Sequence, residues 1–471
     1  MSQLPVGSSS AEASTRSQSS LQRRLEAARR EAEGTHADAL VLVRVEAPLV
    51  APEALLQRFP ERDSVLWEPP QGACFAGIDV ARSVTGHGAR RVAEVLTAGA
   101  ALWAELGASA ATRDVLSAPR LFGGFAFSAL GAQSSDWAGF GSARFVLPRV
   151  TYARERDAAV LTLALERSEL ERGSASPAVQ LFKATHEALC AHPECAPGRE
   201  ARVLVREEPD PSLFESRVAD LIERIARGEL AKAVAARELR LGFASEIDPF
   251  ATVAALRDQA PECVRFAFRW GAASFIGATP ERLLYKHGRT LDTEALAGTI
   301  DAGAESPEAR LCASTKELEE HGLVVSAIRS ALEPLAEEFL APSVPLVRRL
   351  KHVLHLCTPI QVRLLRDTHV LDLLARLHPT PAVGGVPTQV ALDWIERHEP
   401  FDRGWYAGAV GWFDPSGDGD FNVALRSGLV VKSRARLYAG AGIVRESKPA
   451  AEYAETTPKL ATLLASLRAR A

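Results

Sequence analysis

The chain has 471 residues, 47% of them hydrophobic, so it exceeds the usual size of one core and predicts either two domains or one large, closely packed unit. A formal net charge of -4 and the lack of a dense basic run argue against nucleic acid or an anionic membrane surface as the main partner. No uninterrupted apolar stretch of about 18 residues occurs and the N-terminus carries no apolar signal core, which predicts a cytoplasmic protein.

The first half of the chain is interpreted as scaffold, because it has few convergent titratable side chains. Residues 1–36 are predicted to be a disordered or helical tail, since the Ser-rich start lacks the apolar groups whose burial offsets ordering entropy. Apolar runs and helical spacing then predict the following elements. The predicted strands are Ala39 to Val45, Val65 to Trp67, Ala73 to Ile78, Leu121 to Phe127, Phe145 to Pro148 and Ala158 to Leu165. The predicted helices are Gln22 to Glu33, Val92 to Leu106 and Val179 to Leu189.

One cluster in this half, His186, Cys190, His192 and Cys195, raises the alternative of a structural zinc site. Its compact spacing does not match the paired ligand knuckles of such sites, so a helix end followed by a Pro-containing loop is favoured. The six scattered cysteines suit free thiols in a reducing compartment.

The next segment offers a candidate base. Helical spacing from Val218 to Ile225 ends at Gly228, and the run LAKAVAARELRL then alternates as a strand does. Lys232 lies on the same face as Val234, pointing toward an apolar interior. Burial favours the neutral amine, which is the form that acts as a base. The alternative is a lysine at the rim of an edge strand.

A candidate acid follows where the strand FIGATPERLL breaks at Thr279-Pro280. Glu281 lies just beyond the break, and a carboxyl group at a strand end near other carboxylates is suited to act as a general acid. The alternative is a surface ion pair with Arg282. Further predicted elements are the strands FAFRW, LDTEALAGTI and LKHVLHLCTPIQV and the helices Thr315 to Phe339, Val370 to Leu377 and Trp394 to His398.

The C-terminal stretch combines sheet and helix signals. Strands are predicted at Phe421 to Leu425, Ser427 to Val431 and Arg436 to Ala439, in an antiparallel sheet that ends in a tight turn at Gly440-Ala441-Gly442. Pro449 then favours a helix start. Glu452, Glu455 and Lys459 are spaced i, i+3 and i+7 on that helix, so they share one face. This face suits a divalent cation and a small anion, with an ordinary solvated surface as the alternative.

Ten strings in this order resemble the chorismate-utilising enzymes, the family of isochorismate, salicylate, anthranilate and aminodeoxychorismate synthases. They are LAKAVAAR, TPERL, EALAGT, KELEEHGLVV, HLCT, LHPTPAVGG, GWYAGAVGW, VALRSG, LYAGAGIV and the final ExxExxxK. The match spans Ser212 to Lys459, and the part of the chain before Ser212 resembles the family less closely. The resemblance implies an α+β fold, a large two-sheet sandwich flanked by helices, with residues 37–471 as one chorismate-binding catalytic domain. Residues 37–211 would be its variable part and residues 212–471 its motif-bearing part.

The resemblance also implies an activity. Family members that add ammonia carry glutamine where Lys232 stands, and those that add water carry lysine. Aminodeoxychorismate synthases with a covalent lysine place it where this chain has Ala297. The chain is therefore most similar to isochorismate synthases, with Lys232 as base, Glu281 as acid and no amidotransferase partner. A salicylate synthase, or less favourably an aminating subunit partnered with a glutamine amidotransferase, is the alternative.

The family binds Mg²⁺, and the matching ligands here are Glu320, Glu452 and Glu455. The residues that match substrate-binding positions are Gly298, Thr299, His355, Arg426, Gly440, Gly442 and Lys459. Glu317 and Glu319 match nothing functional and are predicted to be solvated helix surface. The product is expected to feed menaquinone or siderophore synthesis.

Overall fold

The computed structural model describes residues 22–30, 33, 36, 38–107, 112, 114–131, 134–196 and 202–468. The predicted tail lies mostly outside these residues, and residues 22–30 within it form a helix (α1). In the described chain no helix has both the length and the apolar character needed to cross a bilayer.

The strands, in chain order, are β1 (Leu40–Glu46), β2 (Ser64–Glu68), β3 (Cys74–Gly86), β4 (Leu121–Phe125), β5 (Ala143–Glu155), β6 (Ala158–Glu166), β7 (Val203–Glu207), β8 (Lys232–Phe243), β9 (Val264–Trp270), β10 (Ala273–Thr279), β11 (Arg282–His287), β12 (Thr290–Asp301), β13 (Ala336–Leu340), β14 (Leu346–Arg349), β15 (Val353–Leu364), β16 (Gly385–Val386), β17 (Ala409–Phe413), β18 (Gly419–Val423), β19 (Ser427–Val431) and β20 (Arg434–Ile443).

The α-helices after α1 are α2 (Pro52–Leu56), α3 (Arg91–Leu106), α4 (Arg167–Glu171), α5 (Pro177–Cys190), α6 (Pro211–Ala226), α7 (Pro249–Gln259), α8 (Pro307–Ala313), α9 (Thr315–Leu332), α10 (Val370–Leu377), α11 (Thr388–His398) and α12 (Pro449–Arg468).

The strands form two antiparallel arms that diverge from the long antiparallel pair β3 and β5. One arm runs through β2, β9, β10, β19 and β20 to β8. The other runs from β5 through β4, β17, β18, β11 and β12 to β15. A register shift between Val80 and Arg82 bends β3. Its first half pairs with both β2 and β5, whereas its second half pairs with β5. The α+β, two-sheet fold expected from the sequence is therefore confirmed.

Aromatic side chains from both arms fill the space between them. Phe268 of β9, in the first arm, lies 5.7 Å from Trp405, which precedes β17 of the second arm, measured between ring centroids, and Phe75 of β3 lies 5.4 Å from Phe122 of β4. A second core forms where α2, α5, α7 and α12 cover the outer face of the first arm. Burial of this apolar surface, worth about 25 cal/mol per Å², holds the arms in a fixed relation to each other.

Several predicted bounds differ in the structure, and two of the differences are changes in the type of element. The helix predicted from Thr315 to Phe339 ends at Leu332, because Pro334 cannot continue it, and β13 follows. The turn predicted at Gly440 to Gly442 is wrong, since β20 continues to Ile443 and pairs with β8 throughout. Closely spaced glycines in a sequence usually indicate a turn. Here these glycines lie within a strand that pairs with β8, which is distant in the sequence.

The predicted helix end near the histidine and cysteine cluster is confirmed, because α5 ends at Cys190. Cys190 Sγ lies 3.8 Å from His186 Nδ1, and all six cysteines are unbridged. Among the described residues, no three His, Cys, Asp or Glu side chains are arranged to surround a metal ion.

Candidate active site

Lys232 is the first residue of β8 and its side chain is fully buried. Val386 of β16 pairs with it on one side, and β20 runs along the other edge of β8 from Ala233 onward. The alternative of a rim lysine is therefore wrong. Its Nζ lies 3.0 Å from Glu320 Oε1. Burial raises the pKa of Glu320, but the ammonium groups of Lys232 and Lys316 outweigh burial, and the net pKa is lowered.

Gly442 makes room for this pair. A Cβ atom at Gly442 would lie 2.1 Å from Glu320 Oε1 and 3.0 Å from Lys232 Cε. The first distance is shorter than any van der Waals contact, so a side chain here would force the carboxylate and the amine apart. A glycine in this strand marks a close approach rather than a turn.

Glu281 lies in the break between β10 and β11 and is only 5% exposed. Burial raises its pKa to about 8, with the charge of Glu294 adding to the effect, while Lys232 and Arg426 oppose it. Glu294 is held by two hydrogen bonds from Arg348, of 2.6 and 2.7 Å. Glu281 is thus a buried acid, and the alternative of a surface ion pair is wrong.

A bulge in β12 shapes the neighbouring wall. The pairing of β12 with β15 shifts register between Ala297 and Thr299, and Gly298 has a φ of 79°, which favours glycine. The bulge directs Thr299 Oγ1 to His355 Nδ1 at 3.0 Å, and Thr299 N donates to Glu317 Oε2 at 2.7 Å.

His355 is held as a neutral ring. Arg426 donates to His355 Nε2 at 3.2 Å, so Nδ1 carries the proton that faces Gly298 O and Thr299, an assignment made from the hydrogen-bond partners. Burial, followed by the positive charges of Arg426 and Lys459, lowers the pKa of His355 well below its usual value. Arg426 is half-buried, and desolvation lowers its pKa.

Lys459 of α12 is tied to β20. Its Nζ donates to Gly440 O at 2.9 Å and to Glu455 Oε1 at 2.7 Å. Because the N–H and C=O of one strand residue point to the same edge, the N–H groups of Gly440 and Gly442 face away from β8. β19 pairs with β20 only as far as Leu437, so these two N–H groups border the cavity described next.

One cavity brings nine of the twelve predicted residues together. They are Glu281, Gly298, Thr299, Glu320, His355, Arg426, Gly440, Gly442 and Lys459. Lys232 does not line the cavity but contacts Glu320, which does. Glu452 and Glu455 lie outside the cavity. Sequence reasoning missed Arg403, Tyr406 and Tyr438, which also line the cavity. Tyr406 is part of the GWYAGAVGW string, and its place in that string could have indicated that it lines the site.

Glu452 and Glu455 line an adjoining cleft of about 440 Å³. Thr299 lines both spaces, so the cleft and the cavity meet there. Burial, followed by the charge of Glu455, raises the pKa of Glu452 to about 7, and its buried Oε2 has no hydrogen-bond partner. A buried carboxylate oxygen without a hydrogen-bond partner lowers the stability of the fold unless a cation binds to it.

Glu317 belongs to this cleft, so its assignment to solvated surface is wrong. It is 8% exposed and burial raises its pKa. The β12 bulge explains this, because Gly298 approaches α9 so closely that a Cβ there would lie 3.0 Å from Glu317 O. Glu319, on the opposite side of the helix, is exposed as predicted.

Lys316 lies between the carboxylates, with Nζ 3.1 Å from Glu317 Oε1 and 3.0 Å from Glu452 Oε1. Burial opposes its charge, but the carboxylates Glu455, Glu452, Glu317 and Glu320 together outweigh burial and raise the pKa of Lys316. Each carboxylate predicted as a metal ligand is thus balanced by an ammonium group.

Comparison with known proteins gives the same family. Residues 24–468 match the family model described as chorismate binding enzyme. The chain is 39% identical over 414 residues to the salicylate biosynthesis isochorismate synthase of Pseudomonas aeruginosa, covering 86% of this chain and 84% of that one. It is 34% identical over 354 residues to isochorismate synthase MenF of Bacillus subtilis, covering 74% of each.

Solved structures agree. The menaquinone-specific isochorismate synthase MenF of Escherichia coli superimposes with a TM-score of 0.76 at 28% identity, covering 95% of this chain and all of that one. Anthranilate synthase component I of Streptococcus pneumoniae shares the fold, with a TM-score of 0.67 at 20% identity and coverage of 86% of this chain and 92% of that one. The family match spans nearly the whole chain, so the chain belongs to the chorismate-binding enzymes.

Proposed function

We propose that the protein is an isochorismate synthase, which isomerises chorismate to isochorismate. The observation that carries the proposal is the fully buried Lys232 beside a cavity that also holds the buried acid Glu281. The similarity to proteins named as isochorismate synthases supports it.

The reaction adds water at C2 of the substrate ring and loses the hydroxyl group at C4. The neutral Lys232 amine takes a proton from the attacking water as the new C2–O bond forms. The ring double bonds shift, the C4–O bond breaks, and Glu281 gives its proton to the departing hydroxyl group, which leaves as water. One water enters and one leaves, so the product is an isomer of the substrate.

The two groups need opposite starting states. Glu281, with a pKa of about 8, is protonated at neutral pH and ready to donate. Lys232 must be neutral to accept a proton from water, and its Nζ lies 3.0 Å from the carboxylate of Glu320.

Chorismate carries two carboxylates, and the cavity offers two places for them. Arg426 and the N–H groups of Gly440 and Gly442 would bind the enolpyruvyl carboxylate, since a guanidinium group grips a carboxylate with two parallel bonds. Lys459 would bind the ring carboxylate, and His355 and Thr299 would line the ring.

Three carboxylates beside the cleft would supply the oxygen ligands of a magnesium ion, although no three of the described acidic side chains surround one point in this structure. Glu320, Glu452 and Glu455 would hold it, with Glu317 beside them, because Mg²⁺ prefers carboxylate oxygens and retains water. The unpartnered buried Oε2 of Glu452 supports this assignment. When bound, the ion supplies the positive charge that holds the ring carboxylate.

A product analysis tests the proposal. Purified protein with chorismate and Mg²⁺ is expected to form isochorismate without pyruvate, as measured by chromatography. Salicylate with pyruvate would make the protein a salicylate synthase instead. Anthranilate formed in the presence of ammonia would show amination, and no turnover of chorismate would contradict the proposal.

Replacing Gly442 by alanine is expected to lower kcat by about 100-fold, because the new Cβ displaces Glu320 and Lys232 from their positions. The matched control is Gly322→Ala on α9, where an added Cβ meets nothing within 4 Å. Steady-state kinetics should show the control unchanged, and equal activity of Gly442→Ala and the parent would show that the close approach does not matter.

A further inference from the structure

Lys316 stands in an unusual place for a lysine. It is in the first turn of α9, whose N-terminus is capped by Ser314. The helix dipole disfavours a positive charge at this end, so helix stability does not account for it. Its ion-pair partners are Glu317 and Glu452, on α9 and α12, and its side chain is 20% exposed toward the cleft.

The other lysines of the site are held differently. Lys232 is fully buried on a strand, and Lys459 also donates to Gly440 O. Lys316 contacts the acids from the cleft side and carries a flexible four-carbon stem, so its ammonium group can leave without opening the fold.

We propose that the Lys316 ammonium group takes the place of the divalent cation among these carboxylates and leaves it when the metal ion binds. Glu452 would contact both cations, and a monovalent and a divalent cation held this close repel each other strongly, so both cannot stay. This inference rests on the metal site of the proposed function. In the absence of the metal ion, the Lys316 charge would offset the repulsion between these carboxylates and so stabilise the fold. Because the same charge competes with the metal ion, it would also weaken metal binding and keep that binding reversible.

The test measures metal binding without chorismate, by titration calorimetry and by thermal unfolding with and without MgCl₂. Lys316→Met should bind Mg²⁺ at least about tenfold more tightly than the parent, since a competing charge is removed. Its Tm should fall without the metal ion, because the carboxylates then repel each other, and should rise more on adding it. Lys316→Gln should behave in the same way, and provides the measurement if the methionine variant does not fold.

Lys448→Met is the matched control. Lys448 lines the same cleft and is exposed, and it makes no ion pair with any residue that the structure describes. Removing its charge should change the Kd for Mg²⁺ by no more than about twofold, because an exposed charge is largely screened. An equal tightening in both lysine variants would indicate a general charge effect and overturn the proposal.

Glu452→Gln distinguishes a failure of the metal site from a failure of the lysine proposal. If it binds Mg²⁺ as the parent does, or if the parent binds none at millimolar concentration, the metal site itself is wrong and the lysine proposal fails with it. If Glu452→Gln loses binding while Lys316→Met and Lys316→Gln bind no more tightly than the parent, only the lysine proposal is overturned.

Discussion

Replacing Lys232 by methionine lowers kcat for chorismate by an expected factor of about 10² to 10⁴, the usual contribution of a positioned base. Methionine fills the space of the lysine stem but has no proton acceptor of sufficient basicity. Because the substitution leaves the buried Glu320 without its partner at 3.0 Å, stability is expected to fall by about 3 kcal/mol.

A second variant distinguishes lost chemistry from lost stability. Lys232→Met combined with Glu320→Gln removes both charges, so most of the stability should return in thermal unfolding while kcat stays as low as in the single variant. Turnover by the folded single variant within tenfold of the parent would remove Lys232 from the role of base.

Glu281→Gln is expected to lower kcat by about 10² to 10⁴, because glutamine cannot give a proton to the departing C4 hydroxyl group. The pH profile gives a more specific readout. The reaction requires the protonated acid, whose pKa is raised to about 8, so kcat/KM should hold below pH 8 and fall as the pH rises through that value. The residual activity of Glu281→Gln should lack this fall.

Glu294→Gln is the companion variant for this assignment. The charge of Glu294 is the second cause of the raised pKa of Glu281, after burial. Removing it also frees Arg348, whose positive charge lowers the pKa of Glu281, so both effects should move the fall in kcat/KM to lower pH. A profile that stays in place in Glu294→Gln and persists in Glu281→Gln would assign the fall to another group.

Local patterns predicted many of the elements because they depend on neighbours in sequence. The alternation around Lys232 predicted β8, and Pro449 correctly marked the start of α12. The ends of α10 and β19 also agree with prediction. Pro334 was an available local signal for the end of α9, which the apolar spacing beyond it concealed.

Errors arose where a distant segment decides the outcome. The glycines at 440 and 442 were taken for a turn, but β8 pairs with this stretch and Gly442 leaves space for the carboxylate of Glu320. Glu317 was assigned to the surface because it lies in an acidic run. The bulge at Gly298 buries it, and nothing near Glu317 in the sequence indicates that contact.

By itself, the sequence determined the family and predicted an acid, a base and carboxylate ligands, because these residues stand in ordered motifs whose residue types suit that chemistry. Only the tertiary structure decided which groups share a charge environment. Lys232 meets Glu320, Glu281 acquires its raised pKa beside Glu294, and Lys316 lies between Glu317 and Glu452. Electrostatic interaction and desolvation depend on distance through space and on burial, and packing of segments far apart in the chain sets both.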